Sequence, residues 1–133
     1  MVTYETIHVG DVTAPRAWIF RSEGHGGLRA ATDLLMPGDR TMRLPLLCFV
    51  VRHPAHGVVL VDTGLHPDAA TNLSRDYGRL TAMMFRSLKP AQETFAEQLR
   101  TLGVEPGQVE TVVMTHLHAD HTSAMRLLGA ATF

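Results

Sequence analysis

The stretch LLCFVVRHPAHGVVLVDTG, Leu46 to Gly64, constrains the fold more than any other part of the chain. Two runs rich in β-branched and apolar residues, LLCFVVRH and VVLVDTG, flank the four residues Pro54, Ala55, His56 and Gly57. Such runs favour extended backbone, and proline and glycine supply the turn between them, so the segment predicts a β-hairpin. Neither run alternates apolar with polar residues. That continuity is expected of strands covered on both faces, which places the hairpin inside a layered sheet.

The elements around the hairpin follow from local pattern. Phe95, Leu99 and Leu102 recur at helical spacing, with Pro90 suited to a first turn and Gly103 to a C-terminal cap. Burial of each of these three side chains is worth roughly 1.5–3 kcal/mol. A strand, TVVMT, comes next, followed by a short helix in which Asp120 or Thr122 is placed to cap, Met125 and Leu128 share a face, and Gly129 ends the element. Upstream, YETIHV and AWIF read as short strands and LRAATDLLM as a short helix, with EGHGG and MPGDR as loops. The segment from Leu65 to Leu88 is mixed, with a helix near its end in which Met83, Met84 and Phe85 are expected in core or lid packing.

Strands followed by helices in one chain of 133 residues describe a single α/β domain. With 12 Lys+Arg against 13 Asp+Glu and the basic residues scattered singly, a nucleic-acid partner is excluded. The one cysteine, Cys48, sits in the apolar run and reads as a small buried hydrophobe. The N-terminus lacks the basic and apolar regions of a secretion signal and no window approaches a membrane span, so no membrane partner and a cytoplasmic location are expected.

The densest chemistry lies in MTHLHADHTS, where His116, His118, Asp120 and His121 fall within six consecutive positions. The order H-x-H-x-D-H differs from a helical H-E-x-x-H zinc signature. In extended chain leaving a strand, His116 and His118 point the same way and can share one metal. A helix start redirects Asp120 and His121 toward a neighbouring point, where a second metal can sit. Imidazole with carboxylate suits zinc, and iron or manganese as well. At this chain's own His and Asp frequencies the pattern arises by chance on the order of once per thousand such sequences, so metal binding is preferred to accident. His8 and His25 lie in weakly defined segments, His53 and His56 flank a turn and His66 follows one, and all five read as solvated or structural.

VVMTHLHADH, taken with the earlier VLVDTG, resembles the first two motifs of the metallo-β-lactamase-fold hydrolase superfamily, at 115–121 and 59–64. The resemblance covers about residues 44 to 133 and is strongest toward the N-acyl-homoserine lactonase-like branch. It implies the N-terminal half of an αββα sandwich, a mixed sheet with helices on its outer face. It also implies two zinc ions, the first held by His116 and His118 and the second by Asp120 and His121. Asp62 would support the histidine loop by hydrogen bonding, and Asp120 would also orient the nucleophile.

The implied activity is opening of a lactone, or cleavage of a related ester, by metal-held hydroxide. A glyoxalase-II-like thioesterase shares the motif, and an iron-dependent oxidoreductase shares the fold. Thr122, Ser123 and Ala124 stand where many relatives have glycine. The family's later ligands have no counterpart in these 133 residues. The expectation is therefore an incomplete domain over 1–133, inactive or weakly active alone, with an exposed sheet face through which it self-associates.

Overall fold

The structure, a computed structural model, describes residues 1–16, 41–84 and 87–133. The expected AWIF strand, the LRAATDLLM helix, the EGHGG and MPGDR loops, His25 and Phe85 lie wholly or almost wholly outside the described residues. Among the described residues, five strands form one mixed sheet: β1 (Thr3–Pro15), β2 (Thr41–His53), β3 (Gly57–Val61), β4 (Lys89–Pro90) and β5 (Thr111–Val113), in the order β4-β1-β2-β3-β5. β1 and β2 pair antiparallel over their whole length, and β2 with β3 forms the predicted hairpin, with Val50 opposite Leu60. β5 joins β3 in parallel, Leu60 opposite Val112. The parallel pairing brings the C-terminal ends of β3 and β5, and so Asp62 and the histidine segment, to the same end of the sheet.

Three short helices follow β3: α1 (Pro67–Thr71), α2 (Leu73–Tyr77) and α3 (Arg79–Met84). α4 (Phe95–Thr101) precedes β5, and α5 (Ala119–Thr122) runs into a tight helical turn at Ser123–Leu127. Phe95 and Leu99 of α4 are buried against Ile7, Val9, Cys48, Val50, Leu60 and Val112, so the helices cover one face of the sheet. Gln98 locks that packing: its side-chain amide accepts from the His8 N–H at 3.2 Å and donates to the His8 carbonyl at 2.7 Å, beside the bulge between His8 and Gly10. Cys48 is buried as expected, and burial pushes its thiol pKa up.

Four expectations are corrected. The hairpin is not buried on both faces: Leu46, Cys48, Val50 and Leu60 are enclosed, whereas Leu47, Phe49, Val51, Val59 and Val61 keep partial exposure because the described helices pack on the other side. Tyr4 and Val113, 71% and 51% exposed, extend that apolar face. Pro90 belongs to β4, opposite Gly10, and α4 begins instead behind Thr94, where Thr94 and Glu97 satisfy each other's orphan backbone donors in a capping box. His118, not Asp120 or Thr122, holds the cap position of α5. Met83 is 63% exposed, which removes the core half of its core-or-lid expectation. Among the described residues, no helix is long and apolar enough to cross a membrane.

Candidate metal centre

Asp62 follows directly on β3 and adopts φ 61°, a left-handed conformation that aspartate tolerates better than most side chains. Its N–H donates to the Val113 carbonyl at 2.9 Å, which ties it to the end of β5. Gly64 follows at φ 67°, and a Cβ there would lie 2.6 Å from Val9 Cγ2, so only glycine permits this close approach to β1. The two conformations send the Asp62 side chain under the histidine segment.

There the buried carboxylate makes three hydrogen bonds. Oδ1 accepts from the Thr115 N–H at 2.9 Å, and Oδ2 accepts from the Thr115 hydroxyl at 2.7 Å and faces His121 Nδ1 at 2.8 Å. Burial alone would raise the Asp62 pKa. The Thr115 amide and hydroxyl, with His121, outweigh burial and hold it below its ordinary value.

Ionised Asp62 fixes where the neighbouring protons lie. A carboxylate only accepts, so His121 carries its proton on Nδ1. The Thr115 hydroxyl spends its single proton on Asp62 and is left to accept from His116 Nδ1, 2.9 Å away. In the neutral rings this arrangement leaves Nε2 as the unprotonated nitrogen, the form in which imidazole binds metals. One carboxylate thus sets two tautomers, one directly and one through a hydroxyl.

The backbone of the same segment is also gripped. The His121 carbonyl accepts from the Thr63 N–H at 3.0 Å, the Thr63 hydroxyl at 2.8 Å and the Gly64 N–H at 3.1 Å. Ala124 N–H donates back to the Gly64 carbonyl at 3.1 Å.

All four sequence-derived donors are brought into one patch. The His116 ring lies 4.6 Å from that of His118 and 4.0 Å from that of His121, centroid to centroid. Asp120 is buried, with Oδ2 3.7 Å from His121 Nε2. Among the described residues, Asp120 Oδ1 is the buried side-chain oxygen without a hydrogen-bond partner. A shielded carboxylate oxygen left unpaired is costly unless a cation or donor meets it. The imidazoles pack on one another rather than converging, and no three ligand-type side chains among the described residues stand arranged around one point. In donor type, the imidazoles and the orphaned carboxylate Oδ1 suit a divalent metal such as zinc, while their present arrangement does not form a coordination shell around one point.

Of the remaining histidines, His66 is structural, its Nδ1 accepting from the Asp68 N–H to cap α1, and His53 accepts from the Ala55 N–H in the hairpin turn. Thr63 and Thr115 were not singled out by sequence reasoning. Their only signal was position, a hydroxyl beside Asp62 and another beside His116, which acquires meaning once β3 and β5 are known to be neighbours.

The sequence profile of the metallo-beta-lactamase superfamily matches residues 42–133. The chain belongs to this superfamily. Among curated relatives, it is 33% identical over 89 residues to the N-acyl homoserine lactonase AttM of Agrobacterium fabrum, which is 67% of this chain and 33% of that protein. The chain therefore spans about one third of the length of the metallo-beta-lactamase relatives it matches. Among solved structures it resembles an N-acyl homoserine lactone hydrolase with the product N-hexanoyl-L-homoserine bound at the catalytic metal centre, with a TM-score of 0.62, 20% identity, and coverage of 94% of this chain and 44% of that one. It also resembles AidC, a dizinc quorum-quenching lactonase, with a TM-score of 0.55, 13% identity, and coverage of 98% and 40%. These structural likenesses establish the metallo-beta-lactamase fold in its mixed-sheet α/β form.

Proposed function

We propose that this chain carries the first metal-binding loop of a metal-dependent hydrolase that opens lactones or cleaves related esters. The single observation that carries the reading is the Asp62 network, which engages Nδ1 of His121 directly and Nδ1 of His116 through Thr115 and so, in the neutral rings, reserves Nε2 for metal. His116 and His118 are assigned to one ion and Asp120 and His121 to another, with zinc favoured by the donor set and iron or manganese compatible with it. Bound there, divalent metal would supply Lewis acidity toward a carbonyl oxygen and would bring the pKa of bound water down to about 7.

The chain's own groups do the rest. Asp62 keeps the protons of His116 and His121 on their Nδ1 atoms, away from the donor nitrogens. Asp120 accepts a hydrogen bond from the attacking water and orients it. Two protein donors per ion fall short of the three or four in stable zinc sites, so each ion needs further donors besides these four residues. The apolar sheet face around Phe49 and Val61 is assigned to contact with other protein, including self-association. A cytoplasmic location is retained as part of this reading.

Lactone opening by the enzyme that contains this chain is measured as acid release from an acyl-homoserine lactone, beside a glutathione thioester and with the metal content determined. Lactone turnover with zinc, lost on chelation and in His118→Ala, is expected. Thioester cleavage without lactone opening favours the thioesterase, and oxygen consumption with iron favours the oxidoreductase; either result replaces the present reading.

A further inference from the structure

We propose that Tyr77 is a positioning residue for the turn that carries the metal ligands; the inference rests on the metal reading above. α5 is a single turn of four residues, too short to hold its own shape. Its first carbonyl, that of Ala119, lies between His118 and Asp120 and accepts from the Ser123 N–H, as expected within a helical turn. The same oxygen accepts a second hydrogen bond from outside the turn, from the Tyr77 hydroxyl at 3.1 Å.

Tyr77 is built for that role. It is the last residue of α2, and its ring packs against the hydrophobic core while its hydroxyl reaches the loop. A donor held on a half-buried ring packed against the core has restricted freedom, so it restrains the peptide that sets both the His118 and the Asp120 directions. Two neighbouring contacts hold the following residues: the His66 N–H donates to Ser123 Oγ at 3.0 Å, and Arg126 pairs with Asp68 at 3.4 Å. Neither reaches the peptide between the two ligands. Nothing in the H-x-H-x-D-H spacing calls for a tyrosine 42 positions away from Ala119.

The variant Tyr77→Phe keeps the ring and leaves the Ser123 bond to Ala119 in place, so the fold is retained. Amide hydrogen exchange on the metal-free chain reads the turn directly. The N–H groups of His121 and Thr122, which donate to the His118 carbonyl at 3.0 and 3.1 Å, should exchange about fivefold faster, on the order of 1 kcal/mol. Amides of Val50 and Leu60 should be unchanged. Cobalt(II) titration of the enzyme that contains this chain, with and without Tyr77→Phe, should show a comparable loss of affinity in the variant. Unchanged exchange at His121 and Thr122, or acceleration spread equally over the sheet, overturns the positioning role. So does local acceleration with unaltered cobalt affinity. If neither form of the enzyme binds cobalt, the metal reading fails and takes the role toward metal with it, while the exchange data still report whether Tyr77 holds the turn.

Discussion

Asp62 and His121, separated by 59 residues in sequence, meet at 2.8 Å between Oδ2 and Nδ1. That contact joins the end of β3 to the second half of the histidine motif, and the Thr115 hydroxyl on the same Oδ2 extends it to His116. Its consequence is chemical rather than merely structural, because it decides which ring nitrogens are bare.

Asp62→Asn preserves size but places an amide donor or a weaker acceptor against His121. The proton is then no longer held on Nδ1. Zinc affinity, read by competition with a chromophoric chelator, should fall about 10–100-fold, the range for loss of a group that orients a ligand. Affinity equal to that of the parent chain would show that the tautomer is set elsewhere.

Thr115→Val removes the relay to His116 while keeping the β-branched shape. Loss of this part-buried hydroxyl should cost about 1 kcal/mol of stability. Thr115→Ser should restore both stability and metal affinity. Nitrogen-15 NMR of the imidazoles supplies the direct check: His116 should change its tautomer population in the valine variant, and His121 should not.

Gly64→Ala meets two obstacles, a positive φ and the Val9 side chain at 2.6 Å from the new Cβ. A destabilisation on the order of 2–4 kcal/mol is expected in urea unfolding. The same shift should loosen the His121 carbonyl, which the Gly64 N–H helps to hold. A variant as stable as the parent would contradict the close approach of this loop to β1.

The capping box of α4 predicts a pH dependence. The Thr94 amide and hydroxyl lower the Glu97 pKa in the folded chain, with a small opposing effect of burial and a contribution from Arg100. A depressed folded pKa means that the unfolded chain binds more protons in the acid range, so the stabilisation is complete above the unfolded value of about 4.3 and is lost as pH falls through the folded value. Thermal midpoints of Glu97→Gln should therefore fall less steeply with acid than those of the parent. Parallel slopes would remove Glu97 from the acid transition.

The sequence by itself determined the local elements and the chemistry. Apolar β-branched runs around Pro54 to Gly57 made the hairpin, Phe95 and Leu99 marked the buried side of α4, and the spacing from His116 to His121 named the candidate donors. These features were legible because each depends on neighbours within a few residues. The start of α4 was equally local, in Thr94 and Glu97, and was missed because Pro90 is the louder signal. Only tertiary structure decided that β5 lies parallel to β3, and from that one pairing follow Asp62 beneath Thr115 and His121, the triple grip on the His121 carbonyl, and Tyr77 against Ala119. Which hairpin face is covered was likewise beyond the sequence. Continuous apolar strands look the same whether one layer or two packs on them, because burial is set by what the rest of the chain brings alongside.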